Sequence, residues 1–171
     1  MLVPRSTDVV DTIARALDTT IAPAVSTTHQ RSTLTTIDHM LRYLALCLRE
    51  EGQVLFDEAE RLKTLMARLG KAGGAPGLPD AIGAAAGEMA SLAAVRRDPA
   101  IYPSRERLAT EIREGTECVD RMLREIHAIA SKDRSEAVRF LHAEIRDYIA
   151  WQLENEARLI EPAFVGRGAR R

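Results

Sequence analysis

Aromatic residues are scarce in this chain: one Trp, three Tyr and three Phe among 171 residues. Its core must be filled by Leu, Ile, Val, Ala and Met. Those residues suit helix packed on helix, whereas sheets favour aromatic and β-branched side chains. Cysteine is nearly absent. Cys47 and Cys118 each fall inside a helical pattern and read as small buried hydrophobes, not as a disulfide framework. A reducing, cytoplasmic setting is the expectation. An excess of one charge is also lacking, with 24 basic residues against 25 acidic ones, interspersed along the segments. Neither nucleic acid nor an acidic membrane surface is expected as a partner. No run approaches the ~18 apolar residues needed to span a bilayer, and no basic-then-apolar leader opens the chain.

Several reactive motifs are missing as well. There is no Gly-x-Ser-x-Gly and no Cys-x-x-Cys. Gly70-Lys71 fails as a phosphate loop, because Ala72 follows it and Leu65 stands where the first glycine belongs. A ferritin-like di-metal centre needs Glu three residues before His, but Ser26, Thr36, Arg124 and Arg139 precede His29, His39, His127 and His142. In a hemerythrin-like last helix, Gln152 occupies a position where a histidine is required. No cofactor or metal site is expected, and a degenerate hemerythrin-like metal bundle is the most distant reading.

What the chain does have is a helical period. Leu34, Ile37, Leu41, Leu44, Leu48, Leu55, Ala59, Leu62, Met66 and Leu69 follow steps of three and four, with one beat missing at Glu51 and Gly52. This predicts a long central helix or helical hairpin around residues 32–69, starting between Thr28 and Thr35, with Thr35-x-x-Asp38 as a capping box. Gly52 marks a kink, a break or a close approach. A first helix, capped by Ser6 or Thr7, carries Val10, Ile13, Leu17 and Ile21 and should stop or bend before Pro23. Gly70 to Pro79 is a loop. Asp80 caps a short helix whose Gly83-x-x-x-Gly87 allows a neighbour to come close. Ser104 caps the next, which Gly115 divides, and a last helix after Ser131-Lys132-Asp133 stops before Pro162. The fold class is therefore all-α: a single-domain bundle of five or six helices over residues 1–165, with a flexible basic tail over 166–171.

Asp38, His39, Arg42, Arg49 and Glu50 line the polar side of the central helix. They are the candidates for a polar pocket, where an anion could bind, or for an interface. The acids Glu144, Asp147, Glu154, Glu156 and Glu161 alternate with Arg139, Arg146 and Arg158 as a salt-bridged wet face does.

The order of segments resembles an uncharacterised bacterial family of small all-helical proteins, a domain of unknown function. The resemblance rests on Asp8–Ile13 through Ile21-Ala22-Pro23-Ala24-Val25, Leu44–Glu50, Ala59–Gly70, Leu108–Gly115 and Leu141–Asn155. Members are often encoded beside aminoglycoside-phosphotransferase-like kinases and acyl-CoA dehydrogenases. The resemblance implies an accessory or interaction protein for such an enzyme, non-catalytic, and a homodimer is expected through small-residue or Leu-rich faces. The alternative is a small-molecule-binding or catalytic bundle built on the five polar residues.

Overall fold

A computed structural model describes residues 4–98, 100–129 and 135–164. The 166–171 tail and the Ser131-Lys132-Asp133 turn lie outside the described residues. The fold is all-α, with no strand among the described residues. Its helices are α1 (Ser6–Ala16), α2 (Thr28–Gly73), α3 (Asp80–Ala94), α4 (Arg105–Ile129) and α5 (Glu136–Phe164). No described helix is long and apolar enough to cross a membrane.

Helix starts follow local chemistry, at positions partly different from those expected. Arg5, not Ser6 or Thr7, precedes the first turn of α1, and its backbone N–H donates to the Asp8 carboxylate three residues on, at 3.2 Å. The capping box of α2 is Thr27-x-x-Gln30 in place of Thr35-x-x-Asp38. The Thr27 hydroxyl accepts from Gln30 N at 3.3 Å, and Gln30 Oε1 accepts from Thr27 N at 3.5 Å. Thr33, Thr35 and Thr36 instead turn their hydroxyls back onto carbonyls four residues earlier, as mid-helix threonines do. Asp80 is the first helical residue of α3 behind Pro79. Ser104 caps α4 as expected, its Oγ accepting from Arg107 N at 3.2 Å, and Ser135 does the same for α5 through Val138 N at 3.3 Å.

After α1 the chain widens into a π-turn over Leu17–Ile21 and tightens into a 3-10 turn over Ala22–Ala24, where Pro23 lies. Helix α2 passes through Gly52 unbroken and ends at Gly73, so the expected loop shortens to residues 74–79. Helix α5 runs past Pro162 to Phe164 rather than stopping before it. In the last turn few backbone bonds remain to be lost, and Ala163 beside the proline is fully buried.

Contacts divide the chain into two compact units, residues 1–54 with 155–171, and residues 55–154; α2 and α5 contribute to both. The second unit is a four-helix core. Leu62 and Leu69 of α2, Ile82 and Met89 of α3, Met122 and Ile126 of α4, and Leu141 and Ile145 of α5 are essentially inaccessible to solvent. Its closest approaches at glycine are made at Gly73 and Gly115, with Gly70 next, where a Cβ would lie 3.0 Å from Ala90 Cβ. A Cβ on Gly73 would lie 2.7 Å from Ala86 Cβ, and one on Gly115 would lie 2.7 Å from Leu62 Cδ2. Gly115 thus makes room for α2 and does not divide α4. By contrast, Gly83 and Gly87 meet nothing within 4 Å, so the expected close approach along that face of α3 is not made by the chain itself.

The first unit buries far less. Val10, Ala45, Val54, Leu159 and Ala163 are its covered apolar residues, while Ile13 and Ile21 of the expected α1 stripe stay nearly half exposed. Gly52 also faces open space. Gly52→Ala should accordingly stabilise the protein by about 0.5–1 kcal/mol through helix propensity alone. Thermal melting checks this, and a rise of about 1–4 °C is the expected reading.

Candidate functional site

The five polar residues of α2 all lie in the first unit, but they do not converge. Arg42 pairs with Asp38 one turn earlier at 2.5 Å. Arg49 reaches across to Asp11 of α1 at 2.9 Å. Glu50 faces Arg158 of α5 at 3.7 Å, and Arg158 also donates to Asn155 Oδ1 at 3.1 Å. Buried Asn155 completes this chain by donating from Nδ2 to the Val54 carbonyl at 3.2 Å. His39 takes no part in these pairs. Its ring meets Phe164 edge-on at 5.6 Å, and its buried Nε2 has no hydrogen-bond partner.

Arg42 and Arg49 sit two turns apart on one side of α2 and line a groove of about 250 Å³ with Val10, Asp11, Ala14 and Pro162. Each guanidinium already has a carboxylate beside it, so the groove offers an anion little uncompensated charge. Nearby, the Tyr43 phenol is pushed above its ordinary value, chiefly by its hydrogen bond to and charge interaction with Cys47, then by burial, with Glu51 and Glu156 adding to the same direction.

The most built polar cluster was not among the candidates read from the sequence, and it lies in the second unit. Arg97, in the connection between α3 and α4, is largely buried. Its Nε and Nη2 donate to Glu111 Oε2 at 2.9 and 2.5 Å, and its Nη1 donates to Glu60. The guanidinium lies 5.4 Å from the centre of the Phe56 ring, and Phe56 stacks on Tyr102 at 5.5 Å. Lys63 donates to the Val95 carbonyl. Beneath this strap is a cavity of about 110 Å³ walled by Leu62, Met66, Leu92 and Gly115. Burial works to raise the Glu111 pKa, but hydrogen bonds from Arg97 and Arg107 outweigh it and hold the carboxyl below its ordinary value. The only hint in the sequence was the Arg96-Arg97 pair in a Pro-containing connection.

A buried acid, Glu58, was also missed. Glu58 accepts from Gln152 Nε2 at 2.8 Å, so the residue standing in for a histidine serves as an amide donor. Cys118 is buried, and burial raises its pKa, which keeps it a thiol. His127 and His142 face each other with ring centres 5.6 Å apart. Among the described residues no group of three His, Cys, Asp or Glu is placed to hold a metal ion.

Fold and pairing together define an all-α helical bundle laced by ion pairs within and between its helices. Compared with known proteins, the chain matches no family model, no curated protein and no solved structure.

Proposed function

We propose that this chain is a non-catalytic accessory protein that works by binding other proteins through its first unit. The reading rests on the contrast in burial between the units. The second closes a core and leaves Val95, Ile101, Tyr102, Phe140, Ile149 and Leu153 exposed, while the first, a shorter unit, leaves more: Val9 and Ile13 of α1, Ile21 of the π-turn, Ile37, Met40, Tyr43 and Leu44 of α2, and Ile160 and Phe164 of α5. Monomers rarely leave so many large apolar side chains uncovered on neighbouring helices, and such surfaces usually meet a partner. The polar residues of α2 fit the same reading, since Asp38, Arg42, Arg49 and Glu50 pair in separate places, His39 stands apart from them, and together they surround no common reaction space. The partner implied by the family resemblance is a phosphotransferase-like or acyl-CoA-metabolising enzyme, with the chain itself a homo-oligomer.

Calorimetric titration of the purified chain with an aminoglycoside-phosphotransferase-like kinase and an acyl-CoA dehydrogenase from the same genome tests this. Binding at micromolar or tighter affinity is expected for one of them, lost in Ile13→Glu, a change at a half-exposed position that leaves helix content unaltered. Absence of binding to either enzyme class overturns the reading.

A further inference from the structure

The cavity beneath the connection between α3 and α4 lies wholly within the second unit. Ala59, Leu62 and Met66 of α2, Leu92 of α3 and Gly115 of α4 form its floor, and its volume is about 110 Å³. Native interiors keep few spaces this large, because side chains that face one forfeit contacts they would otherwise make. Here polar contacts pin the connection to both α2 and α4. Lys63 donates to the Val95 carbonyl, and Arg97 donates to Glu60 and, at 2.9 and 2.5 Å, to Glu111. These contacts tie the strap to the rim of the cavity rather than letting it settle onto the floor.

We infer that this cavity is a binding site for a small uncharged aliphatic alcohol of about four carbons. Volume sets the size. An apolar cavity of about 150 Å³ binds benzene, so about 110 Å³ takes in proportion a molecule of about four or five heavy atoms. The floor sets the apolar part. Its aliphatic and thioether side chains give a water little to bond to, and a buried water needs several polar partners. The rim sets the polar part. Arg97 and Glu111 are engaged with each other, and Glu111 also accepts from Arg107 at 3.1 Å, so they leave little charge for an ion. Lys63 and Glu114 differ. Both line the cavity, and no ion pair joins them among the described residues. The Lys63 ammonium donates to one acceptor, the Val95 carbonyl, and its other N–H groups stay open to a ligand. Glu114 has its neighbour Arg113 at 4.0 Å, a loose contact. A donor and an acceptor thus stand at one rim. A hydroxyl serves both, accepting from the ammonium and donating to the carboxylate. An acid of the same shape would meet Glu114, and an amine would meet Lys63, like charge against like. The inference does not depend on the enzyme partner of the preceding section, because the cavity belongs to the second unit and the chain is tested alone.

Nuclear magnetic resonance of the full chain, isotopically labelled at its methionine methyl carbons and titrated with isobutanol, tests this. The Met66 methyl signal, assigned by its loss in Met66→Leu, should shift saturably with a dissociation constant on the order of 1 mM. Isobutyrate and isobutylamine, of the same shape but charged, should bind more weakly by about 5-fold. Ala59→Leu, which puts a larger side chain into the cavity, should abolish the shift. Leu92→Ala, which enlarges the cavity, should reverse the order of affinity so that benzyl alcohol binds more tightly than isobutanol. Absence of a saturable shift up to about 20 mM overturns the inference. So does binding undiminished in Ala59→Leu, which would place the alcohol elsewhere on the chain, and so does a charged analogue that binds as tightly as the alcohol. Should Ala59→Leu not fold, Leu92→Ala decides the matter, and an unchanged order of affinity there overturns the inference.

Discussion

Leu62→Ala and Gly115→Ala should each destabilise the protein, and together they should cost less than their sum. Leu62 is 1% exposed in the four-helix core, and truncating it removes buried methyl groups and opens a cavity, for about 2–5 kcal/mol. Gly115→Ala gains about 1 kcal/mol of helix propensity. Against that, its Cβ would lie 2.7 Å from Leu62 Cδ2, 3.1 Å from Leu62 Cγ and 3.2 Å from Met66 Sδ. Relieving the clash means displacing the buried Leu62, and even with the cavity that Leu62 walls beside it, overpacking of about 1–3 kcal/mol outweighs the gain. In the Leu62→Ala background both leucine atoms are gone and the thioether of Met66 can adjust. Gly115→Ala should then stabilise, giving a coupling of about 2 kcal/mol between the two sites. Urea unfolding of the two single variants and the double variant measures this. Costs that add to within about 0.5 kcal/mol would mean that Gly115 is not where α2 and α4 come closest.

Arg97→Ala should cost about 2 kcal/mol at neutral pH, far more than a surface arginine does. The side chain is 14% exposed and holds Glu111, at 32%, through two donors. The arm to Glu60, which is 51% exposed, contributes little because water screens it. Arg97→Lys should recover less than half of the loss, since an ammonium cannot reproduce the fork that grips Glu111 and lies over Phe56. The effect should also depend on pH, with a definite sign. The Glu111 carboxyl is held below its ordinary value in the folded chain, so between the folded and unfolded values the unfolded state binds more protons. Its contribution is complete above the unfolded value, about 4.3, and is lost as the pH falls through the folded one. The stability gap between the native chain and Arg97→Ala should therefore narrow below about pH 4.3. A gap of constant size from pH 7 to pH 3 would separate the arginine's role from the ionisation of Glu111.

The candidate residues on α2 show how far spacing carries an argument. Asp38, His39, Arg42, Arg49 and Glu50 share one helix, and their positions within it were legible from the sequence. Their partners were not. Arg42 found Asp38, four residues away, and this pair is visible in the sequence alone. Arg49 found Asp11 and Glu50 found Arg158, residues on other helices whose approach depends on how α1 and α5 pack. Arg97 is the extreme case. Nothing adjacent to it in sequence foretells that Glu60, Glu111 and Phe56 surround it.

The sequence by itself determined the helices, because a helix is made by interactions that reach no further than four residues. The three-and-four spacing of α2, the serine that opens α4 and the scarcity of aromatic rings are all local or compositional facts, and they led to an all-α fold with a long helix or helical hairpin around residues 32–69, which the structure shows as one helix from Thr28 to Gly73. Only the tertiary structure decided which apolar stripes are covered. It turned Gly73 and Gly115 into points of contact and left Gly52, Gly83 and Gly87 open. It carried α5 through Pro162 and assembled the Arg97 cluster. Each of these depends on which helix faces which, and burial is a property of pairs of surfaces distant in the chain, which a period read along one helix does not contain.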